Sequence, residues 1–204
     1  MIRNIVFDMG NVLLRFDPEF FMTREGVLDE GDRKIIRQEL FQSVEWALMD
    51  MGLLTEDTAE PRVLQRIPER LHEKTVQLLH NWAFPREPIN GMESLVERLK
   101  KAGYGIYLLS NASVAQHVYW PKQPISRLFD GKLISCDLHI VKPSREIYRH
   151  FTDQFHLLPG ECVFIDDAPV NVAGAIACGW QGIVFRGSAV EAERELRDLG
   201  VFPA

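Results

Sequence analysis

The chain has 204 residues, of which 46% are hydrophobic and 25% are charged, as is typical of a globular protein with one large domain or a domain and a small appendage. Its formal net charge of −6 argues against non-specific binding to nucleic acid or to an anionic membrane, because both need a basic surface. No apolar run approaches the length of a membrane span, and the N-terminus lacks the layout of a signal peptide, so we expect a cytoplasmic protein.

The first predicted element is a buried strand at the N-terminus, Asn4–Asp8, with Asp8 at its carboxyl end. Burial of a carboxylate is costly unless a partner compensates for the lost hydration. An acid at the carboxyl end of a core strand, before a turn that contains Gly10, marks a candidate functional site, because ligands bind at this end of open α/β sheets. The alternative is that Asp8 only caps the following turn.

The next segment, from about Asp17 to Arg86, contains no convincing strand and is predicted to be helical. Two sets of apolar residues repeat at helical spacing in it: Ile36, Leu40, Val44 and Leu48, and then Leu71, Leu78, Leu79 and Trp82. Gly52 interrupts the pattern and Thr55 starts another predicted helix. We expect this insertion to lie over the carboxyl edge of the sheet as a lid, which would exclude water and select substrates. The alternative is a helical side layer without a role in catalysis.

Strands alternate with helices in the rest of the chain. The strands are predicted at Gly105–Ser110, Lys132–Ser135, Cys162–Asp166 and Gly182–Phe185. The helices are marked by apolar residues at helical spacing: Met92, Leu95, Val96 and Leu99; Ile147, Tyr148, Phe151 and Phe155; Val172, Ala175 and Ile176; Val190, Leu196 and Leu199. This alternation predicts an α/β fold with a parallel sheet covered on both faces. The right-handed crossover rule then brings the carboxyl ends of all strands to one edge.

That edge is predicted to collect polar side chains from remote parts of the chain. The residues expected there are Asp8, Ser110, Asn111, Lys142, Asp166 and Asp167, with Asn171 at the start of the following helix. Mg²⁺ prefers hard oxygen ligands and usually takes one or two protein carboxylates. A serine hydroxyl donates to a phosphate oxygen, a lysine supplies a positive charge, and a carboxylate can attack phosphorus. The set therefore suits a phosphate monoester held beside Mg²⁺.

In these motifs the chain resembles the haloacid dehalogenase (HAD) superfamily of hydrolases, in subfamily I, which has a helical C1-type cap inserted after the first motif. All four family motifs occur in order: Asp8 in FDMGNV, Ser110 in LLSNA, Lys142 in VKPSREIY, and Asp166 and Asp167 in FIDDAPVN. The resemblance implies a Rossmann-like parallel-sheet core, residues 1–15 and 88–204, and a helical cap, residues 16–87. Within the superfamily the motifs resemble those of bacterial sugar-phosphate phosphatases, above all the group that hydrolyses α-D-glucose 1-phosphate.

The resemblance also implies a metal site. Asp8 would be the nucleophile and a Mg²⁺ ligand, together with the backbone carbonyl of Gly10 and the carboxylate of Asp167. Asp166 would bind Mg²⁺ through a water or orient the neighbouring groups. Asn171 stands where many relatives carry another acid. The cofactor implied for this chain is thus Mg²⁺.

A phosphate site is implied by the same resemblance. Ser110 and the backbone of Asn111 would hold the transferring phosphoryl group. Lys142 would neutralise the repulsion between the phosphate and Asp8. The implied activity is that of a phosphoric monoester phosphatase, which hydrolyses a small phosphorylated metabolite, such as a sugar phosphate, through an aspartyl-phosphate intermediate.

One position departs from the pattern of active phosphatases, which commonly carry a second Asp two residues after the nucleophile as general acid and base. Here that position is Gly10. General acid–base catalysis contributes roughly two to four powers of ten in rate. Three explanations stay open. The leaving group is a good one, as in a sugar 1-phosphate; a cap residue or a metal-bound water supplies the proton, with His72, His80 and His117 as candidates; or the enzyme is slow or has different chemistry.

Two other functions are compatible with the motifs. A metal-independent 2-haloacid dehalogenase also lacks the second Asp and uses an Asp nucleophile, a Ser-Asn pair and a lysine. A non-catalytic phospho-ligand-binding protein could keep the fold. The adjacent Asp166 and Asp167 favour the phosphatase, because two acids beside Asp8 would repel each other strongly without a cation.

Substrate specificity is expected in the cap and in the loops around Arg15, Phe16, Glu45, Trp46 and Trp120. Arg15 and Trp46 are the predicted substrate contacts, although the tryptophans could equally form the core of the cap. The partner expected is a small phosphorylated metabolite, without nucleic acid or membrane. The chain has three cysteines without CxxC spacing, which we expect to be reduced core thiols rather than metal ligands or redox groups. They are Cys136, Cys162 and Cys178.

Overall fold

The computed structural model describes residues 1–82 and 87–202, and its centre is a five-stranded sheet. The strands are β1 (Asn4–Phe7), β2 (Gly105–Ser110), β3 (Gly131–Ile134), β4 (Cys162–Asp166) and β5 (Gln181–Val184). They pair in the order β3-β2-β1-β4-β5, and every pair is parallel. The predicted α/β fold with a parallel sheet is confirmed, and the strand ends differ from the predicted ones by a single residue at most.

Helices connect the strands and cover the sheet. Those before β2 are α1 (Pro18–Arg24), α2 (Glu30–Ile36), α3 (Val44–Asp50), α4 (Glu56–Leu64), α5 (His72–Asn81) and α6 (Met92–Lys101). Those after β2 are α7 (Gln116–Tyr119), α8 (Ser135–Leu138), α9 (Arg145–Phe155), α10 (Pro169–Ile176) and α11 (Ala189–Asp198). A π-helical segment, Arg37–Phe41, follows α2. The described residues also form short 3₁₀ segments: Glu69–Leu71, Trp120–Lys122, Pro124–Leu128 and Pro159–Glu161.

Side chains of the central strands alternate between two apolar clusters, one on each face of the sheet. In β1, Ile5 and Phe7 join the cluster that contains the buried residues of α6 and α11, and Val6 joins the cluster of α9 and α10. Successive side chains of a strand point to opposite faces, so a strand covered on both sides must be apolar throughout. This is why the strands read as uninterrupted apolar runs in the sequence.

The predicted helical repeat from Ile36 to Leu48 is split into two helices, which corrects the simplest interpretation of that pattern. The Ser43 side chain accepts a hydrogen bond from the Trp46 amide and begins α3 at the next residue. Serine is a strong helix N-cap, and the preceding π-helical segment alters the spacing of the apolar positions. Val44, predicted to be part of the apolar stripe, is consequently exposed.

The helices α1–α5, which form the predicted cap, contact the sheet part of the molecule through backbone groups at the end of α3. Ser135 Oγ donates to the carbonyl of Asp50. His139 Nδ1 donates to the carbonyl of Met51 at 2.7 Å. Ser135, predicted to end the third strand, instead begins α8. Its hydroxyl is thereby free to reach across to the cap.

A close backbone approach reinforces these two hydrogen bonds. Gly52 has a φ of +67°, and a Cβ at this position would lie 2.3 Å from the carbonyl oxygen of Cys136. Only glycine combines this conformation with such proximity at little cost. We call this whole set the cap–core clamp: Asp50, Met51 and Gly52 with Ser135, Cys136 and His139.

The apolar core also continues from the sheet into the cap. Phe21 and Leu78 of the cap helices belong to the same buried cluster as Leu95 of α6 and Ile106 of β2. The division into a core of residues 1–15 and 88–204 and a cap of residues 16–87 stays a prediction, and residues 83–86 of that cap lie outside the described residues.

Two further sequence expectations concern membrane spans and cysteines. No helix in the described ranges is both long and apolar enough to cross a membrane. The three cysteines are free thiols, with two of them buried and the third partly so: Cys136, Cys162 and Cys178.

The clamp gives a stability prediction. Gly52→Ala should lower the free energy of unfolding by about 2–4 kcal/mol, because a left-handed conformation and a backbone clash are both imposed on the new Cβ. Gly103→Ala is the matched control, since Gly103 also has a positive φ (+88°) but no atom within 4 Å of the added Cβ. Its expected cost is about 1 kcal/mol. Urea unfolding of both variants measures the difference, and equal losses would contradict the close packing at Gly52.

Candidate active site

The carboxyl ends of β2, β1 and β4 lie side by side and place three polar side chains at one edge of the sheet. The register pairs Phe7 of β1 with Ile165 of β4, so Asp8 leaves β1 at the level where Asp166 ends β4. The Asp8 amide donates to the Ile165 carbonyl at 2.8 Å, which fixes the chain as it leaves the strand. Ser110 ends β2 and lines the cavity above this edge. The predicted convergence of strand ends therefore occurs here.

A buried ammonium group joins the three strand ends. Lys142 Nζ donates to Asp8 Oδ1 at 2.6 Å, to Asp166 Oδ2 at 2.7 Å and to the carbonyl of Leu109 at 3.1 Å. The Lys142 side chain is only 1% exposed. Burial on its own would lower the pKa of Lys142, but the charges of Asp8 and Asp166 together raise it. The lysine is thus held as a cation at the point where the strands end.

Side-chain amides hold both the lysine and its acidic partner. Asn111 Oδ1 accepts from the Lys142 amide at 2.9 Å, and Asn111 Nδ2 donates to the Lys142 carbonyl at 3.1 Å. Asn171 Nδ2 donates to both oxygens of Asp166 at 3.1 Å, and the Ala168 amide donates to Asp166 Oδ1 at 2.8 Å. The side chain of Asn111 is therefore committed to positioning Lys142, and phosphate binding by the Asn111 backbone stays a prediction. Asp166, bound through both oxygens, orients Lys142.

Three carboxylates cluster here, and two of them, Asp8 and Asp166, contact the ammonium. One oxygen each of Asp8, Asp166 and Asp167 lies within 4.8 Å of the others. Burial raises the pKa of Asp8 to about 6, with Lys142 opposing this rise and Asp166 adding to it. Burial also raises the pKa of Asp167, against the hydrogen bond that Asn11 Nδ2 donates to its carboxylate at 3.2 Å.

The donor chemistry of this acidic set fits a small divalent cation. Carboxylate oxygens are the hard ligands that Mg²⁺ prefers. A single ammonium leaves the three acids with excess negative charge, which a cation would relieve. Asp8, Asp167 and the backbone carbonyl of Gly10 are the groups that would hold it, and Asp166 stays a predicted contributor through a water.

A cavity of about 200 Å³ opens above the acids and is walled on one side by the cap. The sheet part contributes the predicted catalytic and phosphate-binding residues, and the cap contributes aromatic rings and one acid. The lining residues include Asp8, Ser110, Lys142 and Asp167 from the sheet part, and Phe16, Trp46, Asp50 and Trp82 from the cap side. Trp46 and Trp82 pack with their ring centroids 5.5 Å apart. Trp46, a predicted substrate contact, is thus both a cavity wall and part of the aromatic core of the cap.

Arg15, the other predicted substrate contact, is not brought to the cavity. Its guanidinium donates to Glu87 at 3.0 Å, lies 3.6 Å from Asp17 and stacks 5.2 Å above the ring of Phe20. Two acids and an aromatic face outside the cavity hold this side chain. The neighbouring Phe16 does line the cavity. Its position beside Arg15 in the sequence does not bring Arg15 there, because adjacent side chains leave the backbone in different directions.

Other predicted residues also lie outside the cavity. Glu45 is buried and binds Arg66 at 2.6 Å within the cap, and Trp120 packs its ring against Phe129. The three histidines considered as proton donors contact the Ile67 carbonyl, the Glu60 carboxylate and the Asp137 carboxylate, respectively. They are His72, His80 and His117. None of these residues is among the cavity walls that the described part of the chain provides.

Sequence reasoning gave no role to six residues that line the cavity. Three of them lie within the predicted motifs, Met9, Asn11 and Ala112, and three lie elsewhere, Asp50, Trp82 and Tyr119. Asp50 is the one among them that carries a carboxyl group. The sequence offered one signal for Asp50, because it stands two residues before Gly52, and a glycine just after a helix marks a tight turn. That signal does not say which surface the turn faces, because the docking of the cap on the sheet decides it.

The chain is similar in sequence to known hydrolases. The sequence model of the haloacid dehalogenase-like hydrolase family matches residues 2–179 of the chain. A sesquiterpene phosphatase of Aspergillus oryzae is 27% identical over 201 residues, which cover 95% of this chain and 94% of that protein. A D-ribitol-5-phosphate phosphatase of Bacteroides thetaiotaomicron is 26% identical over 184 residues, which cover 84% and 86% of the two chains.

Solved structures share the fold. A HAD family enzyme of Bacteroides thetaiotaomicron, in complex with magnesium and inorganic phosphate, superposes with a TM-score of 0.71 at 21% identity over 92% of this chain and 96% of that one. An L-2-haloacid dehalogenase of Xanthobacter autotrophicus with chloropropionic acid covalently bound superposes with a TM-score of 0.65 at 19% identity over 100% and 85% of the two chains. At these identities the likeness concerns the fold alone.

The buried ion pairs give a second stability prediction. Lys142→Met should lower the free energy of unfolding by about 3–5 kcal/mol, because Asp8 and Asp166 would remain buried without a countercharge. Adding Asp166→Asn to this variant removes one of the stranded charges. The losses of unfolding free energy caused by Lys142→Met alone and by Asp166→Asn alone should therefore add up to more than the loss in the double variant, by at least about 1 kcal/mol. Urea unfolding in buffer without divalent cations measures the cycle, and additive losses would show that the two side chains do not interact.

Proposed function

The chain belongs to the haloacid dehalogenase-like hydrolase family, and on this basis we propose that it is a Mg²⁺-dependent phosphatase of a small phosphorylated metabolite. Asp8 takes up the phosphoryl group as an aspartyl-phosphate and passes it to water. The observation that supports this most directly is the meeting of Asp8, Lys142 and Asp167 at the floor of one cavity, where a carboxylate nucleophile, a phosphate-binding cation and a metal-binding acid are all required.

The first step needs a free carboxylate oxygen on Asp8 and positive charge around the phosphate. Lys142 occupies Asp8 Oδ1 and keeps the carboxylate ionised and oriented. When bound, Mg²⁺ supplies positive charge that orients the phosphate and offsets its repulsion from the acids. Asp8 then attacks phosphorus in line with the ester oxygen, and the bond between phosphorus and that oxygen breaks. Positioning and charge neutralisation supply most of the rate in phosphoryl transfer, so Lys142 and Ser110 act chiefly by holding the phosphoryl oxygens.

In the second step, water attacks the aspartyl-phosphate and restores the Asp8 carboxylate. Inorganic phosphate leaves from beside Ser110 and the Asn111 backbone. The cap limits the amount of water at this stage, since it forms one wall of the cavity. Asp166 serves both steps indirectly, because it keeps Lys142 charged and fixed.

The cavity supports a small substrate. Its volume of about 200 Å³ leaves room for a compact group beyond the phosphate. The aromatic wall of Phe16, Trp46 and Trp82 suits the apolar face of a sugar ring or a short apolar chain. A sugar phosphate such as glucose 1-phosphate, and a cytoplasmic setting in which the free thiols stay reduced, are part of this proposal.

The alternative of a metal-independent dehalogenase has a clear observation against it. A halide-displacing Asp needs no metal-binding acid beside it, and here one oxygen each of Asp8, Asp166 and Asp167 lies within 4.8 Å of the others. Three carboxylates beside one ammonium keep a net negative charge that favours a bound cation. Halide release from 2-haloacids without metal, in the absence of phosphate release, would favour the dehalogenase.

The nucleophile is tested with Asp8→Asn. This variant should release phosphate from a panel of phosphorylated metabolites at least about 10³-fold more slowly than the wild type, because an amide cannot form the acyl-phosphate. Asp57→Asn is the control, because it makes the same change of charge at a side chain that is 91% exposed on the cap. Phosphate release is measured with and without Mg²⁺. Near-normal rates for Asp8→Asn would rule out the assignment, and wild-type rates independent of Mg²⁺ would rule out the metal.

The metal-binding acid is tested separately with Asp167→Asn. The Mg²⁺ concentration for half-maximal phosphate release should rise by at least about 10-fold, because a ligand is lost while the nucleophile is kept. Titration of activity with Mg²⁺ gives this value for both proteins. An unchanged Mg²⁺ requirement would assign the cation to other groups.

A further inference from the structure

The proposed phosphatase lacks an evident proton donor for its leaving group. Position 10, where a second acid is common in phosphatases of this family, is a glycine, and the three candidate histidines contact groups outside the cavity. An alkoxide is a poor leaving group, so an unprotonated departure would be slow. The inference below rests on the proposed function, and it identifies the group that supplies this proton.

Asp50 is placed to do so. It is the last residue of α3, and its side chain lines the same cavity as Asp8 and Lys142, but from the cap side. Asp8, Lys142 and Asp167 have roles in attack, charge neutralisation and metal binding. Among the carboxyl groups that line this cavity in the described part of the chain, Asp50 alone is left without a role.

The cap–core clamp fixes the position of Asp50. The carbonyl of Asp50 accepts from Ser135 Oγ, whose hydroxyl also accepts from the Ala112 amide at 3.0 Å, directly after the Ser110-Asn111 motif. The next carbonyl, that of Met51, accepts from His139 Nδ1. The backbone of Asp50 is therefore attached to the two loops that present the predicted phosphate-binding groups. These contacts hold the backbone of Asp50 against the cavity that also contains Asp8, and a proton donor needs such positioning.

The side chain of Asp50 is available for proton transfer. Its carboxyl oxygens have no hydrogen-bond partner among the described residues, whereas Asp8 and Asp166 are both tied to Lys142. Burial raises the pKa of the Asp50 carboxyl to about 7, and the charge of Asp8 adds to the rise. The other charged groups that face it are Lys142, which opposes the rise, and Glu56, which adds to it. A carboxyl group of this kind holds a proton near neutral pH and can both give it and take it back.

We propose that Asp50 is the general acid and base of this enzyme. In the first step, Asp8 forms a bond to phosphorus, the bond between phosphorus and the ester oxygen breaks, and the Asp50 carboxyl gives its proton to that oxygen, so an alcohol leaves. In the second step, the Asp50 carboxylate takes a proton from water as the water oxygen bonds to phosphorus. The bond between phosphorus and Asp8 breaks, and both acids return to their starting states.

A simpler role for Asp50 would be to bind a hydroxyl of the substrate. The two roles differ in how the effect of a substitution depends on the leaving group. A lost proton donor matters most for the most basic leaving group, whereas a lost binding contact does not follow leaving-group basicity. A series of phosphate monoesters without hydroxyls on the leaving group separates them.

The experiment compares Asp50→Asn with the wild type on 2,4-dinitrophenyl, p-nitrophenyl, phenyl and benzyl phosphate, in the presence of Mg²⁺. The value of kcat/KM reports the steps up to departure of the leaving group. Asp50→Asn should lose less than about 10-fold in kcat/KM on the dinitrophenyl ester and at least about 10²-fold on benzyl phosphate. The dependence of kcat/KM on leaving-group pKa is accordingly steeper in the variant. Asp57→Asn, on the exposed side of the cap, should match the wild type on all four esters.

The outcomes are distinct. Activity of Asp50→Asn on the dinitrophenyl ester shows that the variant is folded and can still attack phosphorus. A loss of equal size on all four esters, or no loss on benzyl phosphate, overturns the proposal for Asp50. A wild type that releases no phosphate from any of the esters or from the metabolite panel overturns the proposed phosphatase itself, independently of Asp50.

Discussion

The structure depends on one buried cation. Lys142 contacts the ends of β2, β1 and β4 through a single nitrogen atom, and without it two carboxylates would be buried side by side at the centre of the sheet. Burial of paired charges seldom adds stability beyond what apolar residues would give, so such a group is retained for another reason. The proposed function supplies a chemical reason, because the ammonium that compensates the buried acids is also the group proposed to contact the phosphate.

The strand order explains why this cation can serve the whole site. β1 lies in the middle of the sheet, with β2 on one side and β4 on the other, so the residues that follow these strands are neighbours although they are far apart in the sequence. The loop with Lys142 comes after β3, which lies at the edge of the sheet. The Asn111 side chain, which follows β2, binds the backbone of Lys142 by two hydrogen bonds. The cap is attached to the same loops through the clamp. Floor, cation and cap wall are therefore parts of one connected set of contacts.

Much of the sheet and of the cavity floor could be predicted from the sequence, because their causes are local. Strands covered on both faces must be apolar, and a polar residue at the end of such a run, as in Asp8, Ser110 and Asp166, stands out against that background. The cap was less predictable. Ser43 splits a helical repeat by hydrogen bonding to its own backbone, and the surroundings of Asp50 and Arg15 depend on how the cap docks, which no local pattern encodes. Periodicity shows which face of a helix is apolar but not what that face meets.

The paired indole rings in the cap wall have a practical consequence. Trp46 and Trp82 lie 5.5 Å apart at the cavity, whereas the other two tryptophans, Trp120 and Trp180, are buried against aromatic rings of the sheet part. Half of the tryptophans in the chain thus line the cavity. A ligand bound there would lie beside them, so their ultraviolet emission offers an intrinsic optical probe with which affinity can be titrated on the unlabelled protein, even when no turnover takes place.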